Sequence, residues 1–499
     1  MKNLNLFALL FAPVVAQSST YHVAVGGNNG NNGLSLATAW ATLQYAADIA
    51  SAGDSVIVHD GTYQGFAAMD HSGTSAAPIV FTALDNDVLI NQPCSYNNLD
   101  GINVENVAWV VVEGFEVVGM PRTGIRTALS DHVTLRYNTC TDNYKWGILT
   151  GFAEHVVIEH NTCSGSEDEH GIYFSNSADD PIIRFNQCFN NNANGIHMNG
   201  DASLGGDGTI SNAQVYGNIV HGNGVAGGSG INCDGVINSV IYNNLLYDNH
   251  ASGISLYRID AGAPSTGNRV YNNTIVNASD ARWCINITDG CSGNQLLNNI
   301  LINQHPWRGS IVVAADALTG FVSDFNLVMD RLSPDGDATI LDLDAWQALG
   351  YDANSQVVQA QAALFMSPGS DFHPLSGTAQ MVNAGTNAVS SVLSTDIEGL
   401  PRPQGLGFDI GCYEFLSGMA VNTAEFHAGF GVQEDMLVLE GENSARRFTL
   451  YDPSGRMLHT ASITSATTRI QLPSARGMAI IVLKDERGRT IWTGRVFLP

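Results

Sequence analysis

His197 and Tyr173 are the residues of this 499-residue chain best typed and spaced for proton transfer. They stand 24 positions apart, and each directly follows a Gly-Ile dipeptide. An imidazole and a phenol at equivalent places of a repeat can serve one reacting group as base and acid. Arg126, which also follows a Gly-Ile, and Arg258 supply guanidinium groups able to neutralise an anionic substituent. Asn199, Asn232 and Tyr257 fall in the same neighbourhood and offer hydrogen bonds for binding. Asp201, Asp207 and Asp234 bring hard oxygen ligands that suit calcium, although the chain holds no EF-hand loop, His-x-x-x-His zinc motif or Asp-rich nonapeptide repeat.

What positions these residues is a repeat. Gly-Ile recurs at Gly101, Gly124, Gly147, Gly171, Gly195, Gly230 and Gly253, with spacings of 23, 23, 24, 24, 35 and 23 residues. A period in the low twenties, with short β-branched runs between Asn and Gly turns, indicates one supersecondary unit stacked on itself as the coils of a parallel β-helix. A second series, Asn138, Asn161, Asn186, Asn218, Asn244, Asn273 and Asn299, ends one hydrophobic run per coil. Glycine and asparagine are expected at left-handed turn positions between the strands. Residues one period apart become neighbours about 4.8 Å apart. Alternation after each inward Ile gives an inward series of Thr127, Thr150, Phe174, Met198, Cys233 and Leu256. The outward series is Arg126, Leu149, Tyr173, His197, Asn232 and Ser255, flanked by Ala128, Gly151, Ser175, Asn199, Asp234 and Tyr257. Extra residues at 201–209 and 258–267 are expected to wall a groove beside this polar strip.

Residues 21–23 read as a strand, 35–50 as a capping helix, 53–58 as the first strand of the stack and 61–63 as its turn. The period decays after Asn299. Residues 18–416 hold one Lys, ten Arg and 39 acidic residues, whereas 417–499 hold nine basic and eight acidic residues. The body, at -28, disfavours nucleic acid as a partner. Lys2, the apolar stretch 6–15 and Val14-Val15-Ala16 form a secretory signal at 1–16, and no stretch is long enough for a membrane span. The expected division is a signal peptide at 1–16, the β-helix with its caps at 17–416 and a small β-sandwich at 417–499. Cys140, Cys163 and Cys188, each two residues past a ladder Asn, are expected to stack as small hydrophobes. Cys284 and Cys291 are the best-placed pair if a disulfide forms.

The opening Gly53-Asp54-Ser55-Val56-Ile57-Val58 with Gly61-Thr62-Tyr63, behind a strand and a helix, resembles the start of secreted right-handed β-helix proteins of the pectate-lyase superfamily. The resemblance implies an extended acidic polysaccharide as partner. It also implies proton abstraction alpha to a uronate carboxylate, by a lyase or an epimerase, with Arg126 or Arg258 as neutraliser. The segment from Glu167 to Asn186 resembles alginate epimerases in its Asp-x-His placement, so Asp168 and His170 join the candidates, while that family's Tyr-Gly and Asp-Pro-His context is absent. Lys145 is the one lysine of the solenoid and a further candidate, but Glu169 lies 24 positions on and is equally placed to pair with it on the surface. The tail, with Tyr451, Gly455, Arg456, Gly477 and the 484–499 end, resembles the C-terminal sorting domain of type IX secretion cargo. That implies passage across the outer membrane, and release or surface attachment; separately, a monomer is expected. A glycoside hydrolase using Asp201 and Asp234 and a non-catalytic glycan-binding or adhesin solenoid are the competing readings.

Overall fold

The computed structural model describes residues 18–84 and 87–415, and the strands lying between residues 429 and 498. Residues 1–16, where the signal peptide is expected, lie outside the described residues. The chain divides into two compact units between Val357 and Val358.

The first unit is a parallel β-solenoid whose strands form three long sheets of twelve, eleven and twelve strands. The register follows the Gly-Ile repeat. Ile125 pairs with Ile102 and Ile148, and the column continues through Ile172, Ile196, Ile231, Ile254 and Ile285. These isoleucines are fully buried, as is the inward series Thr127, Thr150, Phe174, Met198, Cys233 and Leu256. Cys140, Cys163 and Cys188 are register partners on successive coils, and all eight cysteines are free and buried.

The repeated glycines are not turn residues. All but Gly195, which immediately precedes its strand, lie inside strands, none has a positive φ, and a Cβ on Gly171 would meet the carbonyl of Gly195 at 2.8 Å and the Asn191 amide at 2.7 Å. Glycine is required there by the close passage of the next coil. Many left-handed positions fall instead on larger residues, among them Tyr137, Phe152, His155, His160 and Phe185. Outward aromatic rings stack coil upon coil there, as in Tyr137, His160 and Phe185.

The asparagine ladder runs through the buried corner. Oδ1 of each amide accepts the backbone N–H and the side-chain Nδ2 of the ladder residue one coil before, and its own Nδ2 donates to a backbone carbonyl. The series continues past Asn299 to Asn326, and pairing continues to Gln356–Val357, so the coil outlasts its legible period. A second ladder, Asn191, Asn223 and Asn249, does the same at another corner.

At the N-terminal end the helix is shorter than expected, Leu43–Ile49, with Thr42 as its cap and a separate turn at Leu36–Thr38. Trp40 bridges to Val23 and interrupts helical continuity. Gly61–Gln64 is a strand rather than a turn, because it pairs with Val88–Gln92 and buries Tyr63. The second unit holds a short antiparallel hairpin, Phe365–Ser367 with Asp371–Pro374, a buried Arg402–Glu414 ion pair at 2.9 Å, and two antiparallel sheets of three and four strands in the tail.

Candidate active site

The polar strip is the outward face of the eleven-stranded sheet, and the pairing Tyr173–His197–Asn232–Ser255 places these residues on successive coils as the alternation predicts. Around them gather His170, Asn194, Asn199, Ser229 and Tyr257.

The hydrogen bonds have a fixed direction, set at one end by a backbone donor. The N–H of Asn194 donates to Nδ1 of His170 at 3.3 Å, and the Asn194 amide nitrogen lies 3.2 Å from the same atom. Nδ1 is therefore the acceptor, and the proton of neutral His170 sits on Nε2, which donates to Nδ1 of His197 at 3.0 Å. His197 then carries its proton on Nε2 and donates to Oη of Tyr257 at 3.2 Å. Asn232 donates to that same oxygen at 2.8 Å. With two N–H donors on the phenol oxygen, the proton of Tyr257 itself is directed away from both. Tyr257 lines a cleft of about 480 Å³ that also takes in Asn232 and Ser255.

Tyr173 stacks on His197 and on Trp146, with ring centroids 5.1 and 5.4 Å apart, and its Oη accepts from Asn199 at 3.0 Å. Oδ1 of Asn199 is buried without a partner. Burial, the main cause in each case, raises both phenols above their ordinary range. The same desolvation holds His197 down to about 3 and places His170 well below the usual imidazole range, with the neighbouring His197 and Lys145 charges adding to it. Both imidazoles are neutral near pH 7.

This has a consequence for stability. The folded pKa of His197 lies below its unfolded value of 6.5, so its contribution is complete above pH 6.5 and is lost as pH falls toward 3. For His197 alone the loss by pH 5 is roughly 2 kcal/mol. Unfolding free energies of wild type and His197→Asn, measured from pH 7.5 to 4.5, should converge as pH falls; parallel curves would contradict the neutral buried pair.

The structure separates several expected site residues from this cluster. Arg126 is held by Glu105 and Asn103, each at 2.6 Å, and is not free to neutralise a substrate. Lys145 pairs with Glu169 at 2.6 Å and lies 3.5 Å from Asp168, so Lys145 and Asp168 belong to a surface ion-pair group. Asp234 is buried and accepts the backbone N–H groups of Ile259 and Asp260, anchoring the 258–267 loop. Asp201 accepts from Ser203 and Asp207 from Thr209, each within its own turn. The three aspartates therefore do not converge as calcium ligands, nor do Asp201 and Asp234 stand as a free carboxylate pair.

The two excursions do form a wall, through the Asp201–Ala261 bridge and the Gly262 N–H to Gly208 carbonyl bond. Among the described residues, Arg258, exposed beside Tyr257, makes no ion pair and donates only to the Ala261 carbonyl at 3.2 Å. Among the described residues, metal-ligating atoms gather at Asp131, His132 and His155. The two imidazoles there stack at 4.4 Å with planes 19° apart, so their in-plane lone pairs run side by side rather than toward one ion.

Sequence reasoning missed the far end of the cleft, lined by Arg282, Trp283, Asn286, Asp289, Arg308 and Asp337. The available signal was the column itself: Asn286 pairs with Ser255, but its coil carries Cys284-Ile285 in place of Gly-Ile.

A family model of the right-handed β-helix region matches residues 88–206 and 168–319. Among solved structures the chain is similar to the pectate lyase Pel9A, with a TM-score of 0.55 at 18% identity over 81% of this chain and 97% of that one. It is also similar to XylC, solved in complex with xylose, with a TM-score of 0.52 at 11% identity over 80% and 98% of the two chains. No curated protein sequence matches the chain. The solenoid is thus a right-handed parallel β-helix.

Proposed function

We propose that the protein acts on an extended acidic polysaccharide, as a lyase or epimerase that removes the proton alpha to a uronate carboxylate. The observation that carries this reading is the oriented chain from Asn194 through His170 and His197 to Tyr257, which leaves a phenolic proton for the cleft. In the elimination, the alpha proton passes to a base, a carbon–carbon double bond forms, and the bond to the leaving sugar oxygen breaks. That oxygen takes the proton of Tyr257. Both nitrogens of His197 are committed, so it positions Tyr257 instead of serving as the base. Tyr173, on the other side of His197, is proposed as the base, and Arg258 as the group facing the carboxylate. A raised phenol acting as base implies turnover that increases on the alkaline side of neutrality.

The likeness to a pectate lyase supports the substrate class at the level of fold. Export to the cell surface or medium, through the 1–16 signal and a type IX sorting tail, belongs to the same reading, since such polymers are extracellular. The test is incubation of the purified protein with a panel of uronate polymers, with and without calcium. Ultraviolet absorbance reads the unsaturated product, and proton NMR reads inverted sugars. Neither signal on any polymer would end the enzymatic reading in favour of a binding solenoid.

A further inference from the structure

The arginines of the solenoid are divided by position. Arg122, Arg126, Arg136 and Arg184, on the earlier coils, each form a carboxylate ion pair. Arg282 and Arg308 line the cleft and form none among the described residues. Arg308 lies over the Trp307 ring at 4.4 Å and donates to the Ala281 carbonyl at 3.4 Å. In a body with 39 acidic groups against 11 basic ones, unpaired guanidinium groups in one cleft call for an anionic partner. The same positive field contributes to His305, whose pKa is lowered first by burial and then by Arg308 and Arg331.

Two further features of this end have no partner among the described residues. Trp283 is buried and lines the cleft, yet its indole N–H makes no hydrogen bond. Asp337, held with φ at +82°, lines the cleft with a buried Oδ1 that also makes none. Asp289 lines it as well, and neither carboxylate pairs with Arg282 or Arg308. Guanidinium donors and carboxylate acceptors left apart in one cleft match a ligand that carries a carboxylate and several hydroxyl groups.

We infer that the Arg282–Arg308 end of the cleft is a second sugar subsite, which recognises the carboxylate of a uronate unit bound alongside the one at Tyr257. Arg282 and Arg308 take the carboxylate, and Asp289 and Asp337 take ring hydroxyls. Trp283 lies on the coil next to the Tyr257 strand, about 4.8 Å along the axis, so a polymer running along the solenoid reaches both places at once. The inference rests on the polysaccharide reading and narrows it to polymers with adjacent acidic units.

The test is equilibrium binding, by calorimetry, of an oligouronate and of its carboxyl-reduced counterpart, which keeps every ring hydroxyl. Wild type should bind the acidic oligomer at least about tenfold more tightly, the equivalent of roughly 1.4 kcal/mol. Arg282→Gln combined with Arg308→Gln should cut the preference at least about tenfold, leaving only the share due to Arg258, without changing the fold seen by circular dichroism. Arg269→Gln, a solenoid arginine that does not line the cleft, should leave the preference intact. Equal binding of the two oligomers by wild type, or a preference undiminished by the double substitution, overturns the subsite. Discrimination without turnover would remove the lyase reading and keep the subsite; turnover without discrimination would do the reverse.

Discussion

Tyr257→Phe is expected to lower turnover of a uronate polymer by about 10²- to 10⁴-fold, the range for loss of one positioned proton-transfer group. Polymer affinity should be nearly unchanged, because the ring stays and only the hydroxyl is lost. The change leaves the Nε2 proton of His197 and the Asn232 amide without their acceptor, at a cost of about 1 to 3 kcal/mol for each group fully excluded from water. Turnover must therefore be normalised to the folded fraction at the assay temperature. His197→Ala should also lower turnover, as loss of a positioning donor, and should change the alkaline limb of the pH profile. Full activity of Tyr257→Phe would remove the phenol from the chemistry.

Asn218→Ala is expected to be among the most damaging single substitutions in the solenoid. It strips the acceptor from the Asn186 backbone N–H and side-chain amide, each at 3.0 Å, and the donor from the Ile183 carbonyl at 2.9 Å. At about 1 to 3 kcal/mol per buried unsatisfied group, the loss over the three groups is roughly 3 to 9 kcal/mol, against total stabilities of about 5 to 15 kcal/mol. Urea unfolding followed by tryptophan fluorescence checks this. A loss below about 1 kcal/mol would mean that water replaces the amide and that the ladder is not a stabilising column. Tyr137→Ala, at an outward ring that is 58% exposed, serves as the mild comparison.

The parts of the fold legible in the sequence are those where coil after coil meets the same constraint. Gly-Ile repeats because a Cβ at the glycine would strike the next coil, and the asparagine ladder repeats because each amide needs another above it. Subtracting one period therefore brings Tyr173, His197 and Asn232 together correctly. What one sequence does not carry is which way a long side chain turns. Arg126 and Lys145 have the right charge for a site, yet each finds a carboxylate on a neighbouring coil first. Asp234 looks like a ligand, but the 258–267 loop needs an acceptor for two backbone N–H groups and takes it. The Arg282–Arg308 end was hidden because its coil replaces the marker glycine with Cys284 and reaches the cleft through irregular loops rather than through the periodic strand.

Removal of the proton alpha to a uronate carboxylate can be read out by following that hydrogen. A uronate polymer deuterated at the carbon alpha to the carboxylate would be incubated with the protein, and deuterium appearing in the water would be measured. Wild type should release the label, both in elimination and in epimerisation. Polymer shortened with its label fully retained would show hydrolysis of the glycosidic bond instead, and would rule out removal of the alpha proton.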